Sequence, residues 1–308
     1  MRLRKVVSMH SSTTIRTNDG TRIWISYHTP EKTNKKVIVI APGVGLTHKY
    51  YDLFSNFLIQ NGFVVISFDY RGMGKSAPEK LSGYSANMHQ WAVQDINAVL
   101  LYVKQHYPGE EIIYIGHCMG GEIIGLSPAS QYVNKIILVS SALTCEKLYP
   151  WNRRILLKIS KSKSRAMSWL LGYAPADKKR KRDKLPKGVY LQLANWCDNP
   201  NGLFDAFPDN NYRKINVPLL AYTFTDDWYC PPKAVNELLN HFANASVTWY
   251  HLKPKEIGLK QVGHIDFFNP EMSSTLWQSL LQWVNKGERN ATEENHLKIK
   301  PYLYEERN

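Results

Sequence analysis

A cysteine flanked by glycines is the residue of this sequence whose surroundings best suit covalent chemistry. Residues 112–115 form a short apolar run, and the string from Gly116 to Gly120, with Cys118 at its centre, follows directly. The run predicts a strand, and Gly-x-Cys-x-Gly predicts a nucleophile elbow, a sharp strand-to-helix turn with the reactive side chain at its tip. The Met119 N–H and the helix N-terminus would favour a thiolate or an oxyanion beside the sulfur. The alternative is a buried cysteine that only packs behind a core strand.

Two adjacent aspartates follow another apolar run and are candidates for the acid of a catalytic triad. Asp226 and Asp227 follow residues 218–224 after a single threonine, and Pro231 lies four residues beyond Asp227. The arrangement resembles the α/β-hydrolase superfamily, whose members often place the acid four residues before a proline that opens the next helix. The resemblance implies that Asp227, rather than Asp226, holds the tautomer of the triad histidine. The alternative is a solvated turn that Asp226 caps.

His264 is the candidate base among the ten histidines of the chain. It follows the strand-like residues 247–252 and stands in a Gly-His string that leads to Phe267 and Phe268. That string is a common form of the catalytic-histidine loop in the superfamily. His117 lies inside the elbow, where it cannot easily share a reaction centre with the adjacent cysteine.

A glycine-rich loop near the N-terminus is the candidate for the second half of an oxyanion hole. Residues 36–41 predict a buried strand that runs into Pro42, Gly43 and Val44. In the superfamily the corresponding loop often begins His-Gly, so Pro42 departs from the pattern. The resemblance implies that the backbone N–H groups of Val44 and Met119 converge on a tetrahedral oxyanion. A plain glycine-rich turn is the alternative.

Strands and helices alternate along the chain, which is typical of a mainly parallel sheet. The expected fold class is α/β, and the resemblance implies an α/β-hydrolase fold with an eight-stranded type of sheet flanked by helices and a helical lid insertion. We expect a core of residues 1–143 and 213–285, a lid of residues 144–212, and a polar C-terminal tail of residues 286–308. Strands are predicted at residues 21–27, 37–41, 63–69, 135–139 and 247–252, and helices at residues 51–59, 88–107, 233–242 and 274–284.

Residues 69–76 contain glycines whose spacing partly matches two nucleotide-binding motifs. A P-loop would require glycine at position 69, which is Asp69, and a dinucleotide fingerprint is followed here by Pro78. The string resembles a structural turn of α/β-hydrolases and is given no catalytic role. The four cysteines show neither Cys-x-x-Cys spacing nor histidine clustering, so we expect no cofactor and no metal.

Positive charge is concentrated in the predicted lid. The formal net charge is +13, and the run from Lys178 to Arg182 is wholly basic, with tryptophan, leucine and isoleucine residues interleaved among further lid cations. Such a segment suits anionic lipid headgroups or an anionic substrate moiety, although a solvated basic helix fits equally well. No nucleic-acid reader motif accompanies the charge, so no nucleic-acid partner is expected. A run of about 18 apolar residues and a secretory signal are lacking, which favours a cytoplasmic protein.

Within the superfamily the chain resembles bacterial predicted hydrolases of the lysophospholipase-like and serine aminopeptidase-like group, which usually carry serine at the elbow. Cysteine at position 118 is similar instead to the nucleophile of dienelactone hydrolases and polyhydroxyalkanoate synthases. We therefore expect hydrolysis of carboxylic esters or thioesters, with a small-molecule or lipid acyl substrate, through Cys118, His264, Asp227 and an acyl-cysteine. An acyltransferase and a catalytically silent binding scaffold are the alternatives.

Overall fold

The computed structural model describes residues 9–177, residues 182–285 and Tyr302. Eight strands form one sheet in the order β1-β2-β4-β3-β5-β6-β9-β10. A separate two-stranded sheet pairs β7 with β8. In chain order the strands are β1 Met9–Arg16, β2 Arg22–Thr29, β3 Lys36–Ala41, β4 Val64–Phe68, β5 Glu111–His117, β6 Lys135–Val139, β7 Tyr173–Ala174, β8 Leu185–Pro186, β9 Pro218–Phe224 and β10 Ser246–Leu252.

The central strands are buried on both faces because helices cover the sheet from both sides. β3 through β6, β9 and β10 pair in parallel, and apolar β-branched side chains dominate β3 to β6. Such near-continuous apolar runs are typical of parallel strands buried on both faces. The predicted α/β class with a mainly parallel sheet is confirmed.

The edge strand β1 has no counterpart among the predicted elements. It pairs antiparallel with β2 and consists largely of serine, threonine and other polar residues. Edge strands of this composition lack the apolar pattern by which a buried strand is recognised, and their polarity limits pairing with other chains. Its place is therefore decided by pairing with β2.

Helices pack on the two faces of the sheet around two apolar clusters. Phe54 of α1 and Trp277 of α8 lie in one cluster, and Val99 of α3 and Val235 of α7 lie in the other. The helices are α1 Asp52–Gln60, α2 Met88–Gln90, α3 Asn97–His106, α4 Met119–Glu122, α5 Trp151–Leu171, α6 Lys187–Asp198, α7 Pro232–His241 and α8 Leu276–Val284.

The helix predicted at residues 88–107 contains a π turn at Trp91–Ile96. Asp95 in this turn accepts hydrogen bonds from the backbone N–H and Nε of Arg71, at 2.9 and 2.8 Å. Both side chains are buried, so their pairing offsets the cost of removing two charges from water. The π turn thus contains one partner of a buried ion pair, and hydrophobic periodicity alone could not predict this pair.

Between β6 and β9 the chain leaves the sheet and forms α5, the β7–β8 pair and α6. Lys161 of α5 contacts Glu146 and Asp198, and Arg165 contacts Asp198 as well. These ion pairs hold α5 against the chain on either side of it. In the described parts of the chain, no helix is both long and apolar enough to cross a membrane. The predicted C-terminal tail lies outside the described residues, apart from Tyr302.

Candidate active site

Cys118 occupies a strained turn between β5 and α4. Its backbone has φ 52° and ψ −116°, a conformation that is costly for a residue with a Cβ and that occurs mostly at functional sites. A Cβ on Gly116 would lie 2.4 Å from the Cα of Gly121, and one on Gly120 would lie 2.4 Å from the Ala41 oxygen. The glycines therefore allow the elbow to pack against the neighbouring backbone, with the Cys118 side chain partly exposed at the tip.

Asp227 and His264, the candidate acid and base, meet beside this turn. Asp227 follows β9, His264 lies in the loop after β10, and the Nδ1 atom of His264 lies 2.9 Å from Oδ2 of Asp227. His264 and Cys118 line the same cavity. Nε2 of His264 is buried and has no hydrogen-bond partner among the described residues. The Asp227 carboxylate thus holds Nδ1 of the imidazole, and Nε2 is available for proton transfer.

Asp226 and Asp227 have different contacts. Oδ2 of Asp226 accepts hydrogen bonds from the backbone N–H groups of Val262 and Gly263, at 2.9 and 3.0 Å. Its carboxylate thus holds the backbone of the histidine loop, whereas Asp227 holds the imidazole. The two neighbouring carboxylates therefore have separate places in the site.

The electrostatics of the site favour a thiolate paired with an imidazolium. Burial raises the pKa of Cys118, but the charge and proximity of His264, the charge of Arg182 and the Met119 N–H together bring that pKa below its ordinary value. Burial lowers the pKa of His264, but the charges of Cys118 and Asp227 outweigh it and raise the pKa to about 10. Between these two values a proton resides on His264 and the sulfur is nucleophilic.

We expect Cys118 to be alkylated by a neutral haloacetamide at a lower pH than an ordinary thiol. The thiolate forms as the pH rises through the lowered pKa of Cys118, whereas a free cysteine ionises near pH ~8.5. Replacing His264 with alanine should move this rise to higher pH because the stabilising charge is lost. Intact-mass measurement of the adduct between about pH 4 and about pH 9 follows the reaction. A rise at the position of a free thiol would contradict the ion pair.

The remaining cysteines serve as internal controls for that experiment. Burial raises the pKa values of the other three thiols, which are nearly inaccessible to solvent: Cys145, Cys197 and Cys230. A second adduct at low pH would show that the first was not specific to the elbow.

The residues that carry the candidate oxyanion donors, Val44 and Met119, line the same cavity as Cys118. Val44 lies in the loop after β3, and Met119 is the first residue of α4. The Met119 N–H also bonds to the Cys118 sulfur, which lowers the pKa of the thiol. Residues at these two places can direct N–H groups to an oxygen bound next to the sulfur.

A cavity of about 290 Å³ extends from Cys118 to the inner face of α5. Its wall includes Leu157 and Ser160 of α5, and Arg182, which lies 4.9 Å from the ring of Tyr229. Of the basic run expected in the lid, only Arg182 belongs to the described residues. The structure places it in the cavity wall rather than on a remote surface.

Glu122 is a cavity residue that the sequence analysis did not single out. It is 1% exposed, and its two carboxyl oxygens bond to the backbone N–H and the hydroxyl of Thr144, each at 2.7 Å. Burial is the main cause that raises its pKa to about 8. Glu122 ends α4, the buried helix that follows the elbow. A glutamate four residues after Cys118 was therefore the sequence signal that could have identified it. The contact ties the elbow helix to the start of the chain segment that leads to α5.

Asp227, Cys230 and His264 have potential metal-ligand atoms within 4.8 Å of one another. The carboxylate and the imidazole are already hydrogen bonded to each other. Burial, followed by the charge of Asp227, raises the pKa of Cys230 well above its ordinary value, so this sulfur is held as a thiol rather than as the thiolate that metals require. The arrangement suits a hydrogen-bonded acid–base pair better than a metal centre.

Comparisons with known proteins show sequence similarity to curated relatives over part of the chain. The monoglyceride lipase of Mus musculus is 28% identical over 124 residues, which cover 40% of this chain and 40% of that protein. The monoglyceride lipase homolog of Monkeypox virus is 29% identical over 105 residues, or 34% of this chain and 37% of that protein. The matched part thus spans about two fifths of the length of these curated relatives.

Solved structures resemble the chain over a greater length. The esterase EaEST from Exiguobacterium antarcticum has a TM-score of 0.58 at 21% identity, covering 89% of this chain and 99% of that one. DcsB, solved in complex with its substrate analogue, has a TM-score of 0.62 at 17% identity, covering 90% and 99%. At such identities the likeness concerns the fold.

The family comparison covers most of the chain, since residues 32–253 match the family described as serine aminopeptidase, S33. The matched residues contain the elbow, with cysteine at position 118, and Asp227, and they end before His264. The resemblance inferred from the motifs is confirmed at the level of the family. This chain belongs to the serine aminopeptidase S33 family of α/β-hydrolases.

Proposed function

We propose that the protein hydrolyses carboxylic ester or thioester bonds through a Cys118, His264 and Asp227 triad. The observation that carries the proposal is the strained Cys118 elbow, which shares a cavity with a histidine whose Nδ1 is bonded to a buried carboxylate. Relatives named monoglyceride lipase and a structural neighbour named esterase support ester chemistry. The substrate is a small-molecule or lipid acyl compound.

The first half-reaction forms an acyl-cysteine. The Cys118 thiolate attacks the carbonyl carbon, and the carbonyl electron pair moves to the oxygen, where the N–H groups of Val44 and Met119 stabilise it. The tetrahedral intermediate collapses as the bond to the leaving oxygen or sulfur breaks. The His264 imidazolium gives its proton to that leaving atom, so an alcohol or thiol departs and the histidine becomes neutral.

The second half-reaction returns the enzyme to its starting state. Neutral His264 takes a proton from water, and the resulting hydroxide attacks the acyl carbon. The same N–H groups stabilise the second oxyanion. Its collapse breaks the carbon–sulfur bond, which releases the carboxylic acid and restores the thiolate beside the imidazolium. Asp227 orients the imidazole in both halves.

Intact-mass measurement tests the proposal with a panel of esters and thioesters of graded acyl length. We expect an acyl adduct on Cys118 that forms after substrate is added. The adduct should then decay in water as the free acid appears. Decay only upon addition of an alcohol, amine or thiol would indicate an acyltransferase. Absence of both adduct and turnover across the panel would refute the enzymatic proposal and favour the binding scaffold.

We infer in addition that residues 144–212 form a lid and that α5 contacts anionic membrane surfaces. Six apolar side chains of α5 are between 50% and 80% exposed: Trp151, Ile155, Leu156, Ile159, Trp169 and Leu170. Leu157, Ser160 and Ser164 line the cavity from the opposite face. The helix contains six Lys and Arg residues and neither Asp nor Glu. An exposed apolar stripe among cations is typical of helices that lie in a membrane interface.

Replacing Lys178, Lys179, Arg180 and Lys181 with glutamine is expected to weaken binding to anionic vesicles by at least about tenfold, since each cation near such a surface contributes about 1 kcal/mol. Arg182 is spared because it lines the cavity. Vesicle cosedimentation measures the affinity, and hydrolysis of a small neutral ester should keep its kcat. Added salt should have the same effect in wild type, because the Debye length is about 8 Å at physiological ionic strength. Equal binding to neutral and anionic vesicles would contradict the electrostatic contribution.

A further inference from the structure

A buried chain of hydrogen bonds connects the candidate oxyanion loop to the histidine loop. The Gly43 N–H donates to the Tyr51 hydroxyl at 2.9 Å, and that hydroxyl lies 2.8 Å from Nδ1 of His117. Nε2 of His117 lies 2.9 Å from the backbone oxygen of His264. Tyr51 and His117 are both fully buried. This series of hydrogen bonds includes the residue that directly precedes Cys118 in the elbow, His117.

The contacts permit one arrangement of protons. The carbonyl oxygen of His264 can only accept, so Nε2 of His117 donates to it. Burial is the main cause that lowers the pKa of His117 to about 3, so its ring is neutral and Nδ1 accepts the Tyr51 proton. The Tyr51 oxygen then accepts from Gly43. Every polar atom in this series of hydrogen bonds has a partner. A protonated His117 would leave the Tyr51 hydrogen without an acceptor in the series.

The chain joins three loops whose relative placement the proposed mechanism requires. Gly43 directly precedes Val44, the candidate oxyanion donor, and His117 directly precedes Cys118. The third contact holds the backbone of His264 itself, while Asp227 holds its side chain. Other groups hold the residues on either side of His264: the Gly263 N–H donates to Oδ2 of Asp226 at 3.0 Å, and Tyr50 donates to the Ile265 oxygen at 2.9 Å.

We propose that Tyr51 and His117 are positioning residues that set the spacing between the oxyanion loop, Cys118 and His264. The inference rests on the proposed hydrolase function, because it assigns the three loops their parts in acyl transfer. Neither side chain touches the reacting atoms in this scheme. Their effect is geometric, and a displacement of about 1 Å in such a site can lower a rate by about 100-fold.

Replacing Tyr51 with phenylalanine removes the central hydroxyl and keeps the ring. We expect kcat for a Cys118-dependent neutral ester to fall by about 10- to 100-fold with little change in KM, because transition-state geometry is lost and substrate binding is not. The rate of Cys118 alkylation at low pH should fall as well, since His264 is less well held. Tyr222→Phe is the matched control: its hydroxyl is buried and bonded to Ser279 at 2.8 Å, away from the cavity.

Two variants of His117 separate positioning from loss of packing. His117→Leu removes both nitrogens, whereas His117→Gln keeps a donor near the position of Nε2 that can reach the His264 oxygen. We expect Cys118 to be alkylated at least about tenfold faster in the glutamine variant than in the leucine variant. Thermal unfolding of each variant provides the folded fraction by which all rates are corrected.

The inference is overturned if Tyr51→Phe changes kcat and alkylation no more than Tyr222→Phe does, or if His117→Gln behaves like His117→Leu. Failure of the proposed function has a different signature. Wild type would then show no turnover of any ester or thioester, yet the alkylation rates of the same variants would still report whether Tyr51 and His117 hold His264 against Cys118.

Discussion

Replacing Cys118 with alanine is expected to abolish both ester turnover and the acyl adduct. No other described residue offers a thiol with a lowered pKa, and the strained backbone at this position presents the side chain to His264. His264→Ala and Asp227→Asn should each lower kcat by about three orders of magnitude or more, because triad members act as a unit. Steady-state kinetics and intact-mass measurement on the same preparations check the three variants.

Two further variants make that result specific. Cys118→Ser is expected to retain a fraction of the activity. The chain belongs to a family described as serine aminopeptidase, so the surrounding site suits a serine at this position. Cys145→Ala is the matched control, since Cys145 is buried outside the cavity and bonds to the carbonyl oxygens of Asn199 and Pro200. If the His264 and Asp227 variants keep a Cys118-dependent rate within about twofold of wild type, the triad is wrong.

Removing the exposed apolar residues of α5 is expected to cause the largest loss of membrane affinity. Trp151 and Ile159 are two turns apart on one face, and Leu170 lies three turns further along it. Full burial of one such side chain contributes roughly 1.5–3 kcal/mol, so a triple glutamine variant should bind anionic vesicles at least about 100-fold more weakly even when burial is partial. Cosedimentation at fixed salt measures this loss, and blue-shifted tryptophan fluorescence on vesicle addition reports insertion.

Exposed apolar residues elsewhere provide the control for that measurement. Leu53 of α1 and Leu101 of α3 are 57% and 39% exposed, and neither lies on α5. Leu53→Gln and Leu101→Gln should leave vesicle binding unchanged. Equal losses from the control and the α5 variants would mean that no particular face docks. Unchanged binding of the triple variant would leave α5 as a solvated basic helix.

The sequence by itself determined the local parts of the site. The elbow, the aspartate pair and the Gly-His loop are recognisable because each depends on a few residues at fixed spacing next to an apolar strand. The central strands were predictable for a related reason: parallel strands buried on both faces need continuous apolar runs, as in β3 to β6. The family resemblance followed from these same short segments.

The tertiary structure decided which partners these local parts meet. Asp226 and Asp227 are adjacent in sequence, and only the fold of the histidine loop places one carboxylate on backbone N–H groups and the other on the imidazole. The bond from His117 to His264 spans 147 positions of the chain. Likewise, the sequence showed apolar residues interleaved with cations in the expected lid, but the packing of α5 determined that Leu157 faces the cavity and Ile159 faces outward. Hydrogen bonds and packing between distant segments depend on how strands are ordered in the sheet, and that order is a property of the whole chain.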